Sequence, residues 1–245
     1  MKNRLKTLDC HGHVLLISGA SGVGKTTTVN MLGSAYPQVY STMLIDMNRQ
    51  LRPGEIGRRV IDTETMHQKQ NNGEYLGFSI VNGNVLVGNR ISDIEQAFKE
   101  GKIVLMDLPF EKVRAVLKVF PHADISIVEL VPPSQDELHR RLKNDGRYTG
   151  LRVDIGVEKL KCYKQGNFVG LYDCALITET GKQKEIIEKI HQFMSIQCIT
   201  PAQLANIEKH GASAVSAFLK SKVLPVSAYT EKSGIDKSMI TDNML

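Results

Sequence analysis

The stretch GASGVGKT at residues 19–26 decides the fold of this chain. It comes just after a short apolar run, VLLI at residues 14–17, and just before residues 27–32, which read as a helix. A continuous apolar run of this length is typical of a buried parallel strand. Glycines between a strand and a helix let successive N–H groups point at one centre, where the helix start favours a polyphosphate. The stretch therefore predicts a site for ATP or GTP.

Each residue type in this stretch suits phosphate binding. The Lys25 ammonium can reach the outer phosphates, so we expect it to face solvent and phosphate, and the Thr26 hydroxyl can bind Mg²⁺. Asp107 follows a second apolar run, where a carboxylate either helps to hold Mg²⁺ through water or simply caps a turn. The residues predicted to bind the nucleotide are Gly19, Ala20, Ser21, Gly22, Val23, Gly24, Lys25, Thr26 and Thr27.

Three further apolar runs, at residues 103–106, 125–130 and 175–177, predict more buried strands. Helices are predicted between them, starting at Ser92 and Ser134, because each serine is followed three residues later by glutamate in the capping-box pattern. Strands that alternate with helices indicate an α/β fold, here a P-loop NTPase core with a parallel sheet flanked by helices.

Two stretches interrupt this alternation. Residues 42–90 hold short β-like runs and the turn signals NNG and NG, which predict a small inserted lobe. Residues 139–165 are rich in arginine and lysine, which predicts either a lid that closes over phosphates or a solvated helix face. The remaining predicted segments are an N-terminal extension (1–12), the main domain (13–196) and a C-terminal region (197–245) with a helix near 200–220 and a mobile tail.

Composition places the chain among ordinary globular proteins. Of its 245 residues, 42% are hydrophobic and 23% are charged, which excludes disordered, collagen-like and coiled-coil chains. No run approaches the ~18 apolar residues of a membrane helix, and the basic start is followed by no apolar signal core.

The net charge of +5 is modest and no basic stripe with aromatic residues is visible, so we expect no nucleic-acid partner. Four scattered cysteines indicate free thiols, and we expect a cytoplasmic protein that binds no membrane.

Further short motifs follow the phosphate-binding stretch along the chain. In chain order, the motifs are GASGVGKT (19–26), RQLRPGE (49–55), GEYL (73–76), GN (83–84), AFKEGK (97–102), Asp107, PPS (132–134), EL (137–138) and RRL (140–142). In this order and spacing they resemble guanylate kinase. The resemblance covers roughly residues 13–194, and no later motif is diagnostic without the others.

The resemblance implies a nucleoside monophosphate kinase that uses ATP and Mg²⁺, with an acceptor-binding lobe at residues 42–90. Arg49 and Arg52 match the family arginines that grip the acceptor phosphate, and guanidinium forks are suited to phosphate oxygens. Glu55 matches the carboxylate that organises this site, and Asp107 supports the metal or positions the acceptor. We expect a monomer or a homodimer. The candidate lid arginines are Arg140, Arg141, Arg147 and Arg152.

Several positions depart from the family pattern. The sequence LIDMN at residues 44–48 stands where Ser-x-Thr-Thr is usual, Ile61 replaces an expected tyrosine, and Pro109 replaces a second acid. Gly77 stands where a carboxylate should read the guanine edge. The phosphate-handling half of the site is therefore kept, whereas the guanine-reading half is largely absent. The nearby side chains that could supply part of the lost contact are Ser79 and Asn89.

Three interpretations of the function remain open from the sequence. The first is a kinase with GMP or another nucleoside monophosphate as acceptor. The second is a related kinase with a small phosphorylated substrate, similar to ribose 1,5-bisphosphate phosphokinase, which also lacks the guanine-reading acid. The third is a binding module without catalysis, although the intact Gly24-Lys25-Thr26 argues against it.

Overall fold

The computed structural model describes residues 8–51, 55–81, 84–108, 113–144, 146, 148–165 and 172–197. The strands are β1 (Gly12–Gly19), β2 (Tyr40–Thr42), β3 (Ile45–Met47), β4 (Arg58–Val60), β5 (Tyr75–Val81), β6 (Val85–Arg90), β7 (Ile103–Met106), β8 (Ala123–Val131) and β9 (Cys174–Ile177). The helices are α1 (Lys25–Ala35), α2 (Thr63–Asn71), α3 (Ile91–Lys99), α4 (Val113–Val119), α5 (Gln135–Asn144), α6 (Gly150–Gln165) and α7 (Gln183–Gln197).

A five-stranded sheet in the order β2-β7-β1-β8-β9 forms the core of the fold. Residues 14–17 of β1 and all of β7 are buried, as expected for parallel strands covered on both faces. β1 runs parallel to β7, with Val14 opposite Val104, and β8 runs parallel to β9, with Val128 opposite Cys174. The predicted α/β class and all four predicted core strands are confirmed, and β7 has the predicted bounds.

The chain forms two compact units. The first comprises the described residues up to 16 together with 32–126. The second comprises residues 17–31 and the described residues from 127 onward.

In the first unit, a second sheet has the order β4-β3-β6-β5. β3 runs parallel to β4 and antiparallel to β6, which in turn pairs antiparallel with β5. Met66 of α2 is buried with Tyr75 and Leu86 of the sheet, and Ile61 and Phe78 pack against this cluster. The sheet and α2 therefore have an apolar core of their own, within the stretch that the sequence sets apart as an inserted lobe.

In the second unit, α5 and α6 pack closely through a glycine. A Cβ atom at Gly156 of α6 would lie 2.6 Å from the Leu138 side chain of α5 and 3.8 Å from that of Ala20. Gly156 therefore lets the two helices approach, next to the loop that follows β1. The predicted lid stretch begins inside α5, since residues 139–144 belong to that helix.

One of the two predicted helix starts is confirmed and the other is wrong. The Ser134 Oγ accepts from the Glu137 N–H at 3.1 Å, so Ser134 caps α5. Helix α3 instead begins at Ile91, with Arg90 as its cap residue and no side-chain cap bond. Ile91 is buried with Ile94, and this apolar stripe extends the helix back to the end of β6, which leaves Ser92 inside the first turn.

Some predictions lie outside the described residues. These are the turn at residues 82–83, the helix near residues 200–220 and the mobile tail. Among the helices that the structure describes, none is both long and apolar enough to cross a membrane.

Candidate active site

The loop between β1 and α1 has the backbone geometry that its glycines predict. Gly19, Gly22 and Gly24 have φ angles of 140°, 86° and 101°, a region that favours glycine. A Cβ atom at Gly19 would also lie 2.5 Å from the Leu130 carbonyl oxygen, so this position has no room for a side chain. The loop then enters α1, where the Thr28 N–H donates to the Gly24 carbonyl at 2.9 Å.

Lys25 lies closer to the loop than the sequence suggests. Its ammonium donates to the carbonyl oxygens of Gly19 and Ala20, each at 3.0 Å, and the side chain is partly buried. Lys25 therefore keeps part of its solvent access, but its ammonium also has two acceptors within its own loop. A lysine ammonium on its flexible side chain donates hydrogen bonds to nearby acceptors, and the tight turn places two carbonyl oxygens beside it. Thr26 and Thr27, by contrast, are exposed.

A cavity of about 320 Å³ opens beside this loop, within the second unit. This volume lies at the lower end of the range of small-molecule sites, which are about 300–1,000 Å³. Its lining includes two guanidinium groups, four threonine residues and the carboxylate of Glu179. The lining residues are Gly22, Val23, Gly24, Thr27, Thr28, Arg140, Arg141, Asn144, Thr178, Glu179, Thr180, Gln183 and Ile186.

Glu137 holds both arginines of the cavity. Its carboxylate accepts from Arg140 at 2.7 and 2.8 Å, from Arg141 at 2.8 Å and from the Thr180 hydroxyl. Arg141 also donates from Nη1 to the Thr178 hydroxyl at 2.9 Å. The hydrogen bonds from Arg140, Thr180 and Arg141 hold the pKa of Glu137 far below its usual range. Glu179, the other carboxylate beside the cavity, pairs with Lys182 at 2.7 Å. Arg140, Arg141 and Lys182 therefore outnumber the two carboxylates by one positive charge, which suits a polyphosphate.

In the first unit, Arg49 and Glu55 form a two-pronged ion pair. The Arg49 Nη2 and Nη1 atoms donate to Glu55 Oε1 and Oε2 at 2.6 and 2.7 Å. The hydrogen bond to Glu55 raises the pKa of Arg49. The predicted partner of Arg49, Arg52, lies outside the described residues, as does Arg147 of the lid, and nothing is described of the Arg152 side chain.

Arg58 is a functional candidate that the sequence reasoning missed. It begins β4, three residues after Glu55, and its Nε lies 4.0 Å from Glu55 Oε1. Burial lowers the pKa of Arg58, while the nearby carboxylates of Glu55 and Asp107 raise it. Asp107, which directly follows β7, therefore shares an electrostatic environment with the Arg49–Glu55 pair. The signal available from the sequence was the i, i+3 spacing of Arg58 from Glu55.

The two residues proposed for the acceptor base lie on the same sheet face. Asn89 pairs with Gly77 across β6 and β5, and Ser79 is two residues farther along β5. Alternate residues of a strand share a face, so these positions are neighbours. Ser79 is exposed and Asn89 is partly exposed. A Cβ atom added at Gly77 would have open space around it, with no neighbouring heavy atom within 4 Å.

Known proteins resemble this chain over most of its length. The family model described as guanylate kinase matches residues 11–197, which is most of the chain. The chain belongs to the guanylate kinase family.

Individual guanylate kinases support this assignment. Guanylate kinase 1 of Arabidopsis thaliana is 26% identical over 79% of this chain, which spans 50% of that plant protein. The guanylate kinase of Helicobacter pylori is 29% identical over 73% of this chain and 85% of its own length. The crystal structure of guanylate kinase from Anaplasma phagocytophilum shares the fold, with a TM-score of 0.55 at 16% identity over 83% of this chain and 97% of that one.

One departure from the guanylate kinase pattern has a structural explanation. Within LIDMN, Asp46 is fully buried and accepts from Arg59 Nε at 2.7 Å, from Arg90 Nε at 2.6 Å and from the Tyr75 hydroxyl at 2.8 Å. Arg59 also donates to Asp93 at 2.6 Å. Asp46 therefore ties four strands together, because its partners stand on β4, β5 and β6. A buried carboxylate needs such partners.

A second departure is explained by packing. Ile61 stands where the family pattern has a tyrosine, and it packs against the buried Met66, Tyr75 and Leu86. It therefore belongs to the apolar core of the lobe. Arg58, in contrast, lies beside Glu55 and is partly buried.

Proposed function

We propose that this chain is a guanylate kinase that transfers the γ-phosphate of ATP to GMP. The observation that carries the proposal is the intact phosphate loop, with three left-handed glycines and Lys25, opening on a cavity that holds two arginines. The relatives named above are guanylate kinases, which supports the same reaction. No reported relative is a sugar-phosphate kinase or a binding module, so the comparisons favour neither alternative.

The donor ATP would occupy the loop and the cavity of the second unit. Its phosphates would accept from the loop N–H groups, while Lys25 would exchange the carbonyls of Gly19 and Ala20 for outer phosphate oxygens. Arg140 and Arg141, fixed by Glu137, would add positive charge beside the phosphates. Phosphoryl transfer depends mainly on positioning and charge neutralisation, which these groups supply.

Mg²⁺ fits the residues that the sequence assigns to it. Thr26 in the second unit would supply a hydroxyl oxygen and Asp107 in the first a carboxylate oxygen, and each residue has solvent access. Among the described residues no three His, Cys, Asp or Glu side chains form a metal-binding group. Mg²⁺ is commonly held by one or two protein oxygens together with water and phosphate, so each of these two oxygens would bind it together with the phosphates of ATP. When bound, the ion neutralises charge on the phosphates.

The acceptor would bind to the first unit. Arg49 and Arg52 would hold its phosphate, with Glu55 orienting Arg49 through the two-pronged pair. Asn89 and Ser79 would contact the base, next to Gly77. This proposal also includes the role of residues 42–90 as the acceptor lobe. It includes residues 139–165 as the lid, with Arg147 and Arg152 as lid arginines. The cytoplasmic location and the monomeric or homodimeric state stay predictions of the sequence.

A coupled assay of ADP formation tests the proposal. Purified protein is given ATP and Mg²⁺ with GMP, dGMP, AMP, CMP, UMP or ribose phosphates, one at a time. We expect turnover with GMP and dGMP above the other nucleotides. Turnover only with a ribose phosphate would support the sugar-phosphate alternative. ATP binding without turnover on any acceptor would support the binding module.

A further inference from the structure

Arg58 is a partly buried guanidinium at the start of β4. Its side chain is 18% exposed. Nη1 donates to the carbonyl oxygen of the preceding Gly57 at 3.1 Å, and Nε lies 4.0 Å from Glu55. A neutral carbonyl and a distant carboxylate offset little of the cost of removing a guanidinium from water.

The carboxylate beside Arg58 is already engaged. Both oxygens of Glu55 accept from Arg49 at 2.6 and 2.7 Å, so Arg58 meets Glu55 only at the longer distance. Burial and the positive charge of Arg49 lower the pKa of Arg58, against the opposing effects of Glu55 and Asp107. Among the described residues, the Arg58 guanidinium donates to the Gly57 carbonyl and has no carboxylate closer than 4.0 Å, so an anionic ligand could bind it directly.

The strand register places Arg58 on the face of the acceptor-base candidates. Arg58 is opposite Ile45, Ile45 is opposite Asn89, and Asn89 is opposite Gly77, so the four residues form one row across the sheet. Residues that pair across strands share a face. The next residue, Arg59, belongs to the row of Asp46 on the other face, where it binds Asp46 and Asp93.

We propose that Arg58 is a further acceptor-binding residue, which contacts the phosphate of the nucleoside monophosphate beside Arg49. The inference rests on the proposed function, because it needs the acceptor in the first unit. A phosphate dianion offers enough oxygens to accept hydrogen bonds from two guanidinium groups at once. Arg58 thereby selects for a phosphorylated acceptor rather than for a particular base.

The test measures the affinity of the full chain for GMP and for guanosine by calorimetry, in the wild type and in Arg58→Gln. A lost charge-assisted contact to phosphate is expected to weaken GMP binding about 10- to 100-fold. Guanosine has no phosphate, so its affinity is expected to stay within about twofold. The melting temperature is expected to be unchanged or higher, because a poorly compensated buried charge is removed. Arg58→Lys is expected to restore part of the GMP affinity.

Arg59→Gln is the matched control, since it removes the neighbouring arginine from the opposite face. It is expected to lower the melting temperature and to leave GMP affinity within about twofold below that temperature. Equal losses for GMP and guanosine in Arg58→Gln, or an unchanged GMP affinity, would overturn the inference. Wild-type protein that binds GMP without phosphorylating it would refute the proposed function alone and leave the Arg58 comparison decisive.

Discussion

At the scale of the single residue, Lys25 makes contacts within its own loop and is expected to make another with the phosphate. It is expected to stabilise the transferred phosphate, yet its ammonium also bridges the Gly19 and Ala20 carbonyls of its own loop. Lys25→Ala is expected to lower kcat by at least ~10²–10³-fold, the usual loss for a transition-state contact. It should also lower the free energy of unfolding by about 1–3 kcal/mol, because two hydrogen bonds from a charged donor disappear.

Turnover and urea unfolding of purified Lys25→Ala measure these two effects separately. Lys102→Ala is the control, since Lys102 forms a surface ion pair with Glu100 at 3.1 Å and should affect neither quantity much. Undiminished turnover in Lys25→Ala would refute the loop mechanism.

Gly77 is the single position expected to affect base specificity most. Its backbone lies outside the left-handed region, and a side chain there would meet open space, so Gly77→Glu should fold without strain. A carboxylate beside Asn89 could accept from the guanine edge, a contact worth about 1.5–3 kcal/mol. The ratio of kcat/KM for GMP over AMP is therefore expected to rise about 10- to 150-fold.

Gly77→Gln is the control for this change, because it has the same length without the charge and should raise the ratio much less. A wild-type enzyme that already prefers GMP by several thousand-fold would show that another residue reads guanine. In that case the alignment of this lobe with the family would be wrong.

At the scale of the helix, the two serines that the sequence predicts as caps allow a matched comparison. Ser134 accepts from the Glu137 N–H at the start of α5, whereas Ser92 is exposed inside the first turn of α3. Ser134→Ala is expected to lower the free energy of unfolding by about 1 kcal/mol, the usual value of a lost helix cap. Ser92→Ala should change it by less than about 0.5 kcal/mol. Urea unfolding of both variants checks this, and equal losses would contradict the cap assignment.

The predictable parts of the fold are those that short sequence patterns determine. Continuous apolar runs predicted the core strands, and the glycine spacing predicted the loop after β1. Contacts between distant segments could not be predicted in this way. The Thr180 hydroxyl reaches Glu137 across 43 positions, and Arg90 reaches Asp46 across 44. The spacing of Arg58 from Glu55 likewise could not place Arg58 in the row of Asn89, since that row depends on the pairing of β3 with both β4 and β6.

The second sheet has a titratable group at its centre. The buried Tyr75 hydroxyl donates to Asp46 at 2.8 Å, and burial, followed by the Asp46 charge, strongly raises the pKa of Tyr75. Below pH 10 the tyrosine is neutral in both folded and unfolded chains. Above pH 10 it ionises first in the unfolded chain, so stability should fall by up to ~1.4 kcal/mol per pH unit. Tyr75→Phe should flatten this fall between pH 10 and 11 in urea titrations, and an unchanged slope would contradict the assignment.

At the scale of the whole molecule, donor and acceptor are assigned to different units. A ligand that binds only the folded chain stabilises it by about 2.7 kcal/mol at 100 times its Kd, and hydrogen exchange reports which segments gain protection. ADP is expected to slow exchange in the loop at residues 19–28, in α5 and at the start of α7. GMP is expected to slow it in the second sheet, from β3 to β6.

Exchange measured with each ligand alone, followed by mass spectrometry of peptides, distinguishes the two assignments. Lys25→Ala should lose much of the protection by ADP and keep that by GMP, because Lys25 is proposed to contact only the donor. Guanosine in place of GMP should protect the base-contacting strands β5 and β6 more than the segment around Arg49. Protection of α5 and α7 by GMP, with none in the second sheet, would mean that the cavity beside the loop binds the acceptor. The donor and acceptor assignments would then have to be exchanged.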